Sequence, residues 1–263
     1  MSNNIKRVLI TGGTGDLGQA LTPRLQTAGY QVRITSRRPA PADKDPAIEW
    51  AQVNFLTGEG MTEAVAGVHT IIHAASSPFK NVWEIDVEGT RRLVAAAETA
   101  GIEHFLYISI VGIDKIPYRY YEAKLAAEKI IEQSSVPWSI LRATQFYNLI
   151  DMVLEGLTKL PLIAFVPFNL KIQPIETGEV ADRMVASIEA GPGGHLPDIA
   201  GPKVQRTAEL ARAWLKARGR RRLMLPLPLF GKTATGFRQG LNTAPSNAYG
   251  RITFSEWLER KYP

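Results

Sequence analysis

The sequence predicts an α/β fold: a doubly wound parallel sheet followed by a smaller, irregular C-terminal region. Three observations predict it. Short β-branched runs alternate with longer helical patterns through the first 145 residues, a glycine-rich turn follows the first of those runs, and proline becomes frequent after Arg142, where the alternation stops. A chain of 263 residues is long enough for one sizeable α/β domain with an appended region.

Val8-Leu9-Ile10 reads as the first strand and Asp16 to Ala28 as the helix that follows it. Val32-Arg33-Ile34 and Trp50 to Phe55 read as the next two strands, and Met61 to Ala66 as a short helix. Then come Thr70-Ile71-Ile72, a helix over Trp83 to Ala100, a strand over Phe105 to Ile108, a helix over Tyr118 to Gln133, and a strand over Trp138 to Leu141. Several strands are apolar throughout, as strands covered on both faces must be. Gly29 and Gly101 stand where helix C-caps are expected. This defines a domain over residues 1–145. In residues 146–263 the clear elements are a helix from Thr177 to Ala190, with Val180, Met184 and Ile188 on one face, and an amphipathic stretch from Ala208 to Ala217. This second region is expected not to fold alone, to contribute in part to the sheet, and to cover the carboxyl ends of the strands, where α/β folds bind ligands.

Composition narrows the function classes. With 45% hydrophobic and 21% charged residues the chain reads as a soluble globular protein. It has no cysteine, which excludes disulfides, thiolate metal sites and cysteine nucleophiles. The apolar stretch Ile5 to Ile10 is too short and interrupted for a signal peptide, and no segment approaches the roughly 20 apolar residues that span a bilayer. The expectation is a cytoplasmic protein, monomer or homodimer, without a membrane partner. Part of the +6 net charge lies in Arg218-Gly219-Arg220-Arg221-Arg222. Because this run follows a helical stretch, it reads as a solvated helix end with a glycine cap rather than a nucleic-acid surface. His69, His104 and His195 show no ligand spacing, so no metal is expected; His73 is expected as a strand-end residue beside the ligand.

The glycine loop carries the chemistry. Thr11-Gly12-Gly13-Thr14-Gly15-Asp16-Leu17-Gly18 leaves the first strand and opens the first helix. A turn this tight needs positive φ, a diphosphate approaches the backbone closely only where no Cβ intrudes, and the helix start offers free N–H groups. That context predicts a Rossmann-type dinucleotide site. At the end of the second strand, an acidic residue would select NAD by bonding the ribose 2′-hydroxyl. The sequence has Ser36-Arg37-Arg38 there, two guanidiniums suited to a 2′-phosphate, so NADP(H) is expected in preference to NAD(H).

With the loop in place, further segments resemble the extended and atypical short-chain dehydrogenase/reductases, particularly their NmrA-like NAD(P)H-binding branch. They are His73-Ala74-Ala75-Ser76, Asp86-Val87-Glu88-Gly89-Thr90, Tyr120-Tyr121-Glu122-Ala123-Lys124, Ile140-Leu141-Arg142-Ala143-Thr144-Gln145-Phe146 and Glu179-Val180-Ala181. The resemblance implies a seven-stranded sheet and a nicotinamide near Tyr120 and Lys124. It places Ala74, Ala75, Ser76, Ala143, Thr144 and Phe146 beside the cofactor. The chain departs from the family at Asn54, followed by Phe55, where an aspartate usually holds the adenine amino group. Asp86 stands where extended members commonly carry asparagine, and Ala143 where proline is usual.

Tyr120 and Lys124 lie four apart on a predicted helix and share a face. An ammonium nearby stabilises a phenolate and brings a phenol with a pKa of about 10 toward neutrality. Ser109, eleven residues before Tyr120, ends the fifth strand and is placed to hydrogen-bond a substrate oxygen. These residues predict an NADPH-dependent oxidoreductase that reduces a small apolar carbonyl or quinone-like substrate, with Tyr120 as proton donor, Ser109 orienting the oxygen, and Lys124 tuning the phenol and bonding the nicotinamide ribose. Two other functions compete: a catalytically silent NADP(H) sensor, and an epimerase or dehydratase with tightly held cofactor. Phe79, Phe146, Tyr147, Phe165 and Phe168 are the apolar residues expected to line a substrate pocket, with ordinary packing an equal alternative.

Overall fold

The computed structural model describes residues 6–263. In chain order the first elements are β1 (Arg7–Thr11), α1 (Asp16–Thr27), β2 (Gln31–Ser36), β3 (Ile48–Gln52), α2 (Met61–Val65) and β4 (Thr70–His73). A π-helical turn (Glu84–Glu88) runs into α3 (Gly89–Ala100), followed by β5 (His104–Ile110), α4 (Arg119–Glu132), β6 (Trp138–Ala143) and α5 (Tyr147–Leu157). The remainder comprises β7 (Ile163–Val166), β8 (Lys171–Ile172), α6 (Thr177–Ala190), β9 (Gly194–His195), β10 (Gln205–Arg206), α7 (Thr207–Ala217), β11 (Leu223–Pro226), α8 (Lys232–Gln239) and α9 (Phe254–Lys261).

The chain divides into two compact units that interleave in sequence. The first runs through Ser109 and takes in Glu122–Leu141 and Ala181–Leu196; the second comprises Ile110–Tyr121, Arg142–Val180 and Pro197–Pro263.

The first unit is built on a parallel sheet of seven strands in the order β3-β2-β1-β4-β5-β6-β9. Side chains alternate across its strands, so Leu9, Ile71, Phe105 and Tyr107 enter one core with Met61, Leu93, Ala97, Ala127 and Ile131 from α2, α3 and α4. Val8, Ile10, Ile72 and Leu106 point to the opposite face and are also buried. On that face α1 packs on β1 and β2, and Arg24 of α1 pairs with Asp182 of α6 at 2.5 Å. Burial on both faces is why these strands read as unbroken apolar runs.

Two elements differ from the sequence expectation. The third strand ends at Gln52, not Phe55, because Asn54 starts a turn: its Oδ1 accepts from the Leu56 N–H, its carbonyl accepts from Gly58, and Gly58 and Gly60 take positive φ. The helix expected from Trp83 opens as a π-turn before becoming α-helical at Gly89. A side chain at Gly89 would fall 2.9 Å from the Phe55 ring, so glycine lets the helix close on that residue.

In the second unit, α5, α7 and α9 enclose a separate core of Tyr147, Leu154, Leu210, Trp214, Phe254 and Leu258. The parallel ribbon β7–β11 lays Ala164, Val166 and Met224 on that core. Tyr147 is therefore a core residue rather than a pocket wall, with its hydroxyl donating to the Ile252 carbonyl at 2.6 Å, and Phe168 also packs against this core. The basic run is not simply solvated. Gly219 does take positive φ after α7, but Arg218 and Arg220 pair with Glu155 at 2.8 and 3.0 Å and lie against the Trp214 ring. Among the described residues no helix is long and apolar enough to cross a membrane, and no cluster of three His, Asp or Glu side chains is spaced to hold a metal ion.

Candidate functional site

The strand order places β1 between β2 and β4, so the direction in which the chain adds strands to the sheet reverses there, and the loops leaving β1 and β4 diverge. A crevice must open at that point, outside the carboxyl ends of the strands. It is present as a cleft of about 260 Å³ lined by Gly12, Thr14 and Gly15 after β1, by Ser36 and Arg37 at the end of β2, by Asn54 and Phe55 after β3, and by Ala74, Ala75 and Ser76 after β4.

Each glycine of the loop has its own reason. Gly12 has φ +68°, and a Cβ there would press on the Ala74 carbonyl and on Ala75 at 3.0 Å. Cβ atoms at Gly13 and Gly18 would lie 2.4 Å from Ile34 and from the Gly13 Cα, so both are dictated by packing. Gly15 alone is exposed, with only the Gly12 carbonyl near its missing Cβ. It is the N-cap of α1 and no side chain caps that helix, so the first-turn N–H groups, beginning at Asp16 and Leu17, are open to an anion. Leu17 and Gly18 are otherwise buried.

The wall opposite the loop is held by a hydrogen-bond chain that sequence reasoning missed. Thr11 Oγ1 accepts from the Ala74 and Ala75 N–H groups at 3.1 and 3.0 Å, so its own proton goes to His73 Nδ1 at 2.7 Å. The ring proton is then on Nε2 and is donated to Thr90 Oγ1 at 2.8 Å, whose hydroxyl donates to the Asp86 carbonyl at 2.6 Å. Every polar atom of this chain is satisfied with the imidazole neutral. Burial, aided by the Lys124 charge, pushes the His73 pKa down to about 3. His73 is thus a buried brace, stacked between Phe55 and Tyr107 at 5.8 and 5.2 Å, and not a cleft residue. The Asp86 carboxylate accepts from Ser76 Oγ at 2.5 Å and from the Ser77 N–H at 3.0 Å, so it anchors the β4 loop. Only the i,i+4 spacing of Asp86 and Thr90 could have hinted at this.

At the rim, Arg37 and Arg38 are exposed, and among the described residues no carboxylate pairs with either guanidinium. Asn54 lines the cleft, and its Oδ1 accepts from the Leu56 N–H at 3.0 Å.

Ser109 and Lys124 lie in the first unit. Lys124 is 3% exposed; its Nζ donates to the Ile108 carbonyl at 2.8 Å and sits 4.0 Å from the Tyr107 ring centroid. Burial pulls its pKa down to about 8, against the opposing pull of Asp86 and Glu128. Glu128, fully buried one turn further along α4, was not anticipated. Ser109, the residue after that carbonyl, is buried, and among the described residues its Oγ has no hydrogen-bond partner. A buried hydroxyl without a partner is costly unless something else supplies one.

Burial sorts the three neighbouring tyrosines. Tyr121 is enclosed, accepts from Gln145 Nε2 at 3.2 Å, and is pushed up to about 12 by burial, which makes it a poor proton donor. Tyr118 is exposed and precedes α4. Tyr120 is half-buried on α4, one turn before Lys124. Ala143, Thr144 and Phe146 belong to the second unit: Ala143 and Thr144 are buried, the Thr144 N–H donates to Ile199, and Phe146 caps α5. Of the apolar candidates, Phe79 and Phe165 are exposed.

Comparison with known proteins identifies the family and the fold. The sequence profile of an NAD(P)H-binding family matches residues 12–159. A 3-beta-hydroxysteroid dehydrogenase of Mycolicibacterium neoaurum is 28% identical over 201 residues, 60% of this chain and 55% of that protein. The chloroplastic protein High Chlorophyll Fluorescence Phenotype 244 of Arabidopsis thaliana is 26% identical over 262 residues, 95% of this chain and 65% of that one. The chain thus spans less than two thirds of the length of either relative. Among solved structures, the NADPH complex of an NADPH-dependent quinone oxidoreductase from Escherichia coli superposes with a TM-score of 0.80 at 19% identity, covering 97% of this chain and all of that one.

Proposed function

The chain belongs to the NAD(P)H-binding family, and from that premise we propose that it is an NADPH-dependent reductase of a small apolar carbonyl or quinone-like compound. The observation that carries the enzymatic reading is that a buried Lys124, bonded to the Ile108 carbonyl, occurs together with a Ser109 hydroxyl near the end of β5 that has no hydrogen-bond partner among the described residues. Lysine is rarely buried without a task, and a sensor needs neither group.

When bound, the nicotinamide supplies the hydride. The residues around it hold, orient and protonate. The Gly12–Gly15 backbone and the open first turn of α1 receive the diphosphate, since among the described residues no side chain caps that helix and no Cβ fills the cradle at Gly15. Arg37 and Arg38 receive the 2′-phosphate, being exposed, adjacent and, among the described residues, in no ion pair with a carboxylate. Ser109 Oγ donates to the substrate oxygen, which gives its hydroxyl the partner it lacks. Tyr120 donates a proton to the same oxygen, and the Lys124 ammonium, one turn along α4, lowers the cost of leaving a phenolate behind and bonds the nicotinamide ribose. The hydroxysteroid dehydrogenase relative supports redox chemistry at an oxygen on an apolar molecule.

The test follows NADPH absorbance with purified protein against aldehydes, ketones and quinones. At least one class should be reduced, and Tyr120→Phe should lose turnover by about 10²–10⁴-fold while NADPH binding is kept. NADPH binding without oxidation by any class would assign the protein as a sensor instead.

A further inference from the structure

We propose that Trp50 and Gln52 of β3 are specificity-determining positioning residues, which fix the main chain of Arg37 and Arg38 so that the two guanidiniums form a ready receptor for a ribose 2′-phosphate. This rests on the NADPH reading given above.

The segment after β2 would ordinarily be the loosest part of the cleft, since a chain leaving a sheet has no ladder to hold it. Here three successive polar contacts hold it. Trp50 Nε1 donates to the Arg38 carbonyl at 2.9 Å, Gln52 Nε2 donates to the Arg37 carbonyl at 3.2 Å, and Ser36 Oγ accepts from the Arg38 N–H at 3.1 Å. Trp50 and Gln52 stand two apart on one strand, so both point to the same face. Their base is firm: β3 pairs with β2 up to Ser36–Gln52, and the Val53 N–H closes the ladder on the Ser36 carbonyl at 2.9 Å. Cross-strand side chains thus continue, to main-chain carbonyls, the bonding that β2 itself no longer makes.

The arrangement is specific in what it holds. Both pinned carbonyls belong to arginines, both arginines are exposed, and neither guanidinium is in an ion pair among the described residues. Other arginines of the first unit are used internally: Arg7 and Arg33 both pair with Glu49, and Arg24 pairs with Asp182. A strap serving only stability has no need of two unengaged cations at its tip. An anion receptor does, because an arginine anchored at a fixed Cα loses less freedom on binding than one on a moving loop.

The test uses Trp50→Phe, which keeps the ring and removes the N–H, Gln52→Met, which keeps the length and removes the amide, and the double variant. Dissociation constants are measured by calorimetry for NADPH, NADH, and adenosine bearing phosphates at its 2′ and 5′ oxygens or at the 5′ oxygen alone. In the double variant the two 2′-phosphorylated ligands should weaken on the order of ten-fold, while the two lacking that phosphate change by less than about two-fold. Equal losses for all four ligands, or an unchanged preference in folded variants, would overturn the proposal. Gln52→Met alters an exposed side chain and so keeps the test open if Trp50→Phe fails to fold. If the wild-type protein itself shows no preference for NADPH, the cofactor reading fails, and that failure is visible before any variant is made.

Discussion

The hydroxyl of Thr11, the last residue of β1, lies 2.7 Å from Nδ1 of His73, the last residue of β4. This bond adds a side-chain link at the carboxyl end of the ladder between β1 and β4, where their loops part to form the cleft. Because Thr11 Oγ1 also accepts two N–H groups from the β4 loop, the imidazole must accept at Nδ1 and cannot carry a second proton without losing the bond. The shape of the cleft wall and the protonation of His73 are therefore one property.

Stability should depend on pH through this ring. A free imidazole titrates near 6.5, whereas folded His73 is pushed down to about 3, chiefly by burial. Unfolding then takes up a proton, so stability is complete above pH of about 6.5 and falls as the pH drops toward 3. His104, pushed down to about 4 by burial, acts with the same sign over the upper part of that window. Each ring should cost about 1.4 kcal/mol per pH unit inside the window. Urea unfolding at pH 7.5, 6 and 5 measures it, and a midpoint that did not fall between pH 6 and 5 would contradict the neutral-ring assignment.

Ser109→Ala separates catalysis from folding. Removing a buried hydroxyl that has no partner among the described residues should leave stability unchanged or slightly raised. If that hydroxyl orients the substrate oxygen, kcat should drop by about 10²-fold, as when one donor to a reacting oxygen is removed. Thermal melts and turnover on the same sample decide it; a fall in stability with activity retained would make Ser109 a structural residue.

Two glycines in one loop should respond in opposite ways. Gly18→Ala puts a Cβ 2.4 Å from the Gly13 Cα and should destabilise the fold by about 1–3 kcal/mol through overpacking. Gly15→Ala meets only the Gly12 carbonyl at 3.3 Å, at a φ of −82° that alanine adopts, so the protein should stay folded. Its new methyl group should instead weaken NADPH binding by about ten-fold or more, because it stands where the diphosphate must approach. Calorimetric titration alongside urea unfolding distinguishes the two effects.

Turnover should fade at alkaline pH. Burial holds the Lys124 pKa down at about 8, and only the ammonium form stabilises a tyrosinate. The rate should therefore fall as pH rises through about 8, roughly two units below where an exposed lysine would act. A pH–rate profile flat to pH 10 would remove the Lys124 charge from the mechanism.

The glycine loop, the paired arginines and the i,i+4 relation of Tyr120 and Lys124 were all legible because each is a local pattern whose chemistry follows from spacing along the chain. What was illegible was long in sequence. His73 and Thr11 are 62 residues apart, and nothing in either segment announces that they share a proton. Tyr147 read as a pocket candidate and proved a core residue, because an aromatic side chain looks the same in sequence whether it lines a cavity or fills one.

By itself, then, the sequence determined a parallel α/β sheet with a dinucleotide loop, since apolar periodicity and glycine at forced backbone positions act over a few residues and need no partner. Tertiary structure alone decided that Asp86 anchors a loop, that Arg218 and Arg220 pair with Glu155, and that Ser109 is left without a partner among the described residues. Those are questions of which polar groups find one another once water is removed, and burial is set by the packing of the chain as a whole.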